Sequence, residues 1–222
     1  MEWSTELVKS YFEPHRNEKN ALPMAKYMKN HFPFLGIRTP ERRAIFRQLV
    51  KENELPSYDD LHEEVWSLFQ LEEREYHYVA IELLGKFKKQ LTAKDLNFCL
   101  KLIQTKSWWD SVDSIAPTIV GNIVMLDREA GEDFMKDWAT SSNMWTNRAS
   151  ILHQLKYKEN MNEALLFATL ERHLASKEFF IQKAIGWVLR EYAKTRPEAV
   201  WKFVEKTKLA PLSRREALKH FK

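Results

Sequence analysis

The sequence predicts an all-α chain built as an α-solenoid, a stack of helical pairs curved around a concave basic groove. Three observations carry that expectation. Apolar residues recur at helical spacing in nearly every segment, and no stretch alternates apolar and polar residues long enough to be a strand. Only five glycines in 222 residues leave little for the turns of an all-β fold or for a glycine-rich phosphate loop. A short pattern, one polar or aromatic residue followed by small and β-branched apolar ones, begins at Arg43, Tyr78, Asp113, Arg148 and Lys183, a step of 35 residues each time. A period of that length with two or three helices per unit marks a solenoid in which each unit buries its face on its neighbours. The five in-phase side chains are therefore expected along one side, facing the groove. Buried polar groups at five equivalent places would otherwise each require a partner.

The elements follow in order. Helices are expected over 3–13, 18–31, 40–53, 58–70, 73–89, 93–106, 108–124, 128–139, 144–158, 162–174, 178–195, 198–207 and 213–220. Thr39-Pro40 reads as an N-cap with proline at the first helical position. Thr92 with Asp95, Ser107 with Asp110, and Ser213 with Glu216 read as capping boxes. Arg196-Pro197 closes one helix and opens the next.

Composition narrows the chemistry. Apolar residues make up 44% of the chain, enough for a proper core. Cys99 is the single cysteine, so an internal disulfide and a thiolate metal cluster are excluded. The seven histidines form no close ligand pair, and no metal or cofactor is expected. The start lacks a signal peptide and no apolar run approaches about 18 residues, which points to a reduced cytoplasmic protein. The net charge of +4 is unevenly spread. Residues 1–140 carry 19 Lys and Arg against 23 Asp and Glu, whereas residues 141–222 carry 16 against 8. An excess of that size suggests a polyanionic partner for the second half.

The residues most costly to place are Ser107-Trp108-Trp109-Asp110-Ser111-Val112-Asp113. On a helix, Trp108, Val112, Ile115 and Ile119 share the core face. Trp109 and Asp113, four apart, stack on a neighbouring face. Asp110 has a capping role open to it, and Asp113 has none. Trp109, Arg148 and Trp187 are 39 residues apart in turn, one repeat plus about one helical turn, so adjacent units can bring all three near Asp113. Arg148 falls on an apolar face and must meet an anion, either a structural carboxylate or a phosphate. Lys183, Trp187, Arg190 and Lys194 form a basic stripe around an indole, which suits phosphate and sugar or, equally, a solvated helix face over a packed ring. A carboxylate framed by aromatics and cations can stabilise an oxocarbenium-like sugar during cleavage of a glycosidic bond. When the leaving base is already cationic, one carboxylate suffices.

Four segments together resemble a known family. They are Phe34-Leu35-Gly36-Ile37-Arg38-Thr39-Pro40-Glu41-Arg42-Arg43, Trp108 through Asp113, Trp145-Thr146-Asn147-Arg148, and Phe180 through Tyr192. Across essentially the whole chain the sequence is similar to the AlkD-type DNA glycosylases, bacterial alkylation-repair enzymes made of HEAT-like helical repeats. The resemblance implies a single repeat domain over 1–222 that excises 7-alkylguanine and 3-alkyladenine from duplex DNA. It implies Asp113 as the catalytic carboxylate, Trp109 and Trp187 as aromatic walls, Arg148 as a phosphate contact and Tyr27 as a further DNA contact. Arg43, Lys183 and Arg190 are expected to bind the DNA backbone. The expected protein is a monomer without cofactor, metal or membrane association, in the bacterial cytoplasm and at the nucleoid when bound to DNA. Two rivals stand beside it: a non-catalytic solenoid that holds an acidic protein segment, and a relative that senses damaged DNA without cutting it.

Overall fold

The computed structural model describes residues 2–221, and every regular element among them is helical. The chain divides into two compact units, Met1–Gln90 and Leu91–Lys222.

The first unit holds α1 (Thr5–Phe12), α2 (Glu18–Tyr27), α3 (Thr39–Glu52), α4 (Leu61–Gln70) and α5 (Arg74–Lys86). Leu7, Val8, Phe12, Phe46, Leu49, Val65, Leu68, Val79 and Leu83 fill its core. These side chains recur every three or four residues along their helices, which is why the segments are helical and why they pack. α2 is the exception and buries no residue. The conspicuous segment Phe34–Pro40 takes its shape from one acid. Glu75 of α5 is buried and accepts the N–H groups of Leu35, Gly36 and Ile37 at 2.9, 2.9 and 3.0 Å. Burial pushes its carboxyl above the ordinary value, and the three amide donors oppose that push. Gly36 has φ +89, and a Cβ there would stand 2.0 Å from the Asn17 carbonyl oxygen. Both facts require glycine.

The second unit holds α6 (Leu96–Gln104), α7 (Trp109–Ile115), α8 (Gly121–Leu126), α9 (Arg128–Trp138), α10 (Met144–Leu152), α11 (Glu163–Arg172), α12 (Phe179–Tyr192), α13 (Pro197–Lys206) and α14 (Pro211–Ala217). Within it α7, α10, α12 and α14 pack successively, each on the next, while α6, α9 and α11 lie against α10 and α13 against α12. This is the two-layered stacking that the 35-residue step anticipates. Val112, Ile115, Ile119, Ile123, Ile151, Leu152, Ile185 and Val188 are buried between the layers.

Three local expectations need correction. The helix expected over 108–124 contains a π turn at Ala116–Val120 that links α7 to α8. Its cause is Pro117, which has no N–H to donate to the carbonyl one turn earlier. Ser107 does not cap α7. Its hydroxyl donates to the Ile103 carbonyl at 2.7 Å, and Trp108, in extended conformation, is the N-cap residue. Ser213 lies inside α14, where its hydroxyl donates to the Gln182 carbonyl at 2.9 Å. The Thr92–Asp95 capping box does form, the Thr92 N–H donating to Asp95 Oδ2 at 2.7 Å ahead of α6.

Candidate active site

Asp113 sits on the second turn of α7 and Arg148 on the first turn and a half of α10, one repeat step later. The two side chains meet. Arg148 Nε donates to Asp113 Oδ1 at 2.7 Å and Nη2 donates to Oδ2 at 2.8 Å. This fork fixes the carboxylate plane through two charge-assisted bonds. Arg148 Nη1 donates to the Phe180 backbone carbonyl at the start of α12. One guanidinium thus ties three successive helices of the row together. The arginine side chain is 4% exposed and the aspartate 16%, so the anion keeps an opening to solvent while its partner does not. Burial pushes the Asp113 carboxyl above its ordinary value, Arg148 pulls it back, and nearby Asp110 pushes again. The phosphate expected on Arg148 is replaced in this structure by Asp113, the structural carboxylate that an arginine on an apolar face most often finds.

An aromatic cluster adjoins Arg148 through Phe180. Trp108, Trp145 and Phe180 pack mutually, with centroids 5.6, 5.2 and 5.0 Å apart. The Arg148 guanidinium lies 5.8 Å from the Phe180 ring centre. Trp145 and Phe180 were quoted from the sequence only within the segments that carry the family resemblance and were given no role, although they stand one repeat step of 35 residues apart. Trp109 lies one turn before Asp113 on α7, and Trp187 one turn after Lys183 on α12; both are half-buried.

A second ionic centre lies where α12 meets α14. Glu216, 6% exposed in its side chain, receives three cations. Lys183 Nζ is 3.1 Å from Oε1, Arg190 Nη1 is 3.3 Å from Oε2, and Lys219 Nζ is 2.9 and 2.8 Å from the two oxygens. Lys219 foremost, and Lys183 with it, hold this carboxyl down to about 2 against the opposing effect of burial. Gly186 permits the approach, since a Cβ there would stand 2.4 Å from Glu216 Cβ. The sequence offered Glu216 only as a cap partner. Its separation from Lys183, 33 residues, is close to the repeat step and could have pointed to it.

The other expected site residues are placed as follows. Arg43 is exposed on α3, 3.7 Å from Glu82. Tyr78, in phase with it, is half-buried with the Arg42 guanidinium 4.5 Å from its ring centre. Tyr27 is 70% exposed at the end of α2. Lys194 pairs with Glu191 at 2.7 Å. Of the five in-phase residues, Asp113 and Arg148 are brought into direct contact. Among the described residues no group of three or more His, Cys, Asp or Glu side chains could hold a metal ion, and no helix is long and apolar enough to cross a membrane.

The chain is similar to solved proteins and to one described family. A structure named "Predicted DNA alkylation repair enzyme from Enterococcus faecalis" superposes with a TM-score of 0.86 at 36% identity, covering 92% of this chain and 96% of that one. The crystal structure of smu.31 from Streptococcus mutans UA159 matches with a TM-score of 0.62 at 16% identity, over 96% of this chain and 98% of that one, and shares the fold. No curated protein matches the chain. The family described as DNA alkylation repair enzyme matches residues 8–221, a span that includes residues of both compact units. By that match the chain belongs to the DNA alkylation repair enzyme family.

Proposed function

We propose that this protein is a monofunctional DNA glycosylase that hydrolyses the N-glycosidic bond of cationic alkylpurines, such as 7-alkylguanine and 3-alkyladenine, in duplex DNA. The observation that carries the reading is a part-open carboxylate, Asp113, held in a fixed plane by Arg148, whose guanidinium lies beside the Phe180 ring. As the C1′–N bond breaks, its electron pair goes to the cationic base, which leaves neutral without a general acid. Positive charge then develops on the deoxyribose. Asp113 stabilises it, and Trp109 and Trp187 contribute the negative faces of their rings. Water adds to C1′ and gives up its proton toward the carboxylate.

In this reading Arg148 acts through Asp113, keeping its two oxygens oriented, and the flanking phosphates fall to Lys183 and Arg190, with Arg43 and Tyr27 as further DNA contacts. DNA is the partner that membership of an alkylation-repair family supports, and the surplus of Lys and Arg over Asp and Glu in residues 141–222 fits a polyanion. The test is incubation with methylated duplex DNA and chromatography of the released bases. Free 7-methylguanine or 3-methyladenine is expected, and its absence with active protein at single-turnover concentrations overturns the reading.

The same ion pair favours one second reading. With its charge matched by Arg148, Asp113 can serve as a structural tie between α7 and α10. The chain would then bind alkylated DNA and release no base, an outcome the same assay detects when paired with a binding measurement.

A further inference from the structure

We infer that Lys183, Arg190 and Lys219 form one pre-set cradle for a backbone phosphate of nucleic acid, with Glu216 as the positioning residue that holds the three cations in place. The inference deepens the DNA-binding reading and rests on it. Its new parts are Lys219, which the repeat pattern does not reach, and Glu216.

The geometry supports a cradle in three ways. First, a single carboxylate takes all three cations within 3.3 Å, Glu216 being nearly enclosed while the side chains of Lys183, Arg190 and Lys219 stay 38%, 30% and 47% exposed. The anion lies beneath and the cations face outward. Second, three positive charges against one negative leave an excess of two. Donor capacity also remains, because each ammonium has three N–H donors and a guanidinium five. A phosphodiester oxygen can be received without dismantling the base of the cluster. Third, the floor is rigid. Gly186 lets α14 close onto α12, and Ser213 ties α14 to the Gln182 carbonyl at 2.9 Å. Long cationic side chains ordinarily lose rotamer freedom when they bind an anion, and Glu216 imposes that loss beforehand.

Net charge and positioning predict opposite signs for one substitution. Glu216→Gln makes the surface more positive, so a purely additive electrostatic effect would tighten DNA binding. The cradle predicts weaker binding, by at least roughly tenfold for the loss of order in three side chains. The measurement is fluorescence-anisotropy titration of undamaged duplex DNA across a salt series, well below the melting temperature of each variant. Tighter binding by Glu216→Gln overturns the positioning role. Because that variant also loosens α12 against α14, Lys219→Gln, at a half-exposed position, is measured beside it. Losing one phosphate contact should reduce the log–log salt slope by about 0.9, so that raising salt from about 50 to about 200 mM costs roughly 3.5-fold less affinity than in wild type. Lys202→Gln, exposed on α13, is the control and should leave the slope unchanged. An unchanged slope in Lys219→Gln with a normal wild-type slope rejects the cradle and leaves the glycosylase reading intact. Absence of duplex binding by the wild type rejects both.

Discussion

Two carboxylates in the second unit show how the number of partners decides what an acid does. Asp113 faces one buried arginine, and burial, as the largest influence, raises its pKa. Glu216 faces three part-exposed cations, and they lower its pKa to about 2. The first is a one-to-one pair whose charge is spent internally except at a narrow opening. The second is an anion outnumbered by cations whose outer sides remain available. One geometry suits a reacting centre, where a developing positive charge must find a poised anion. The other suits a surface that receives a polyanion.

The largest contrast is expected on removing a partner. Arg148→Ala leaves a buried carboxylate uncompensated and severs the link to the Phe180 carbonyl, and it should cost about 3–5 kcal/mol in denaturant-induced unfolding. Lys183→Ala removes one of three partners of Glu216 and should cost well under half of that in the same experiment. Equal losses would remove the distinction between the two centres. Asp113→Asn should lower single-turnover excision of 7-methylguanine at least roughly 100-fold while duplex binding persists. Wild-type-like excision would assign Asp113 to structure alone.

The pH dependence sharpens the contrast because the signs oppose. Glu216 is depressed in the folded chain, so its contribution to stability is present above the unfolded value near 4.5 and is lost as pH falls toward about 2. Asp113 is raised, so its contribution is fully present below the unfolded value near 3.8 and is lost as pH rises through the folded value. Thermal melting between pH 2 and 5 should therefore steepen in Asp113→Asn and flatten in Glu216→Gln. The same raised value should place the acid limb of excision above the ordinary aspartate range, since Asp113 must be ionised to act. A rate that stays flat down to about pH 4 would argue against that role. The smallest effect is expected at the outer end of the basic stripe. Lys194→Ala removes an exposed pair with Glu191 and should change stability by about 0.3–0.5 kcal/mol.

Helical periodicity exposed the elements well, because the apolar face of each helix is what the packing uses. The nearness of Asp113 and Arg148 was also legible, since a step of one repeat places equivalent residues on adjacent helices, but Arg148 was expected on a phosphate and instead holds Asp113. Glu216 was hidden for a physical reason. A serine three residues before a glutamate looks like a cap whether it lies before a helix or inside one, and Pro211 moved the start of α14 ahead of both. The contact of Trp145 with Phe180 follows the same 35-residue step and went unread, whereas Trp108 was hidden because it stands outside its helix. Trp108 fell in phase with Val112 and Ile115, yet as the residue before the helix its extended backbone carries its ring toward Trp145 and Phe180 instead.

The wide turn at Ala116–Val120 acts as a phase changer in the chain. It accommodates about one residue more than an ordinary turn would, and each residue rotates a helix by about 100°. Residues before it are therefore indexed to Arg148 and the rings, while residues after it are indexed to the C-terminal end of the same α10 and the turn that follows it. There Gly121 meets the His153 carbonyl, and its own carbonyl accepts the Tyr157 hydroxyl at 2.6 Å. Deleting one residue from this turn would leave a continuous helix in which only one of the two sets of contacts could remain aligned.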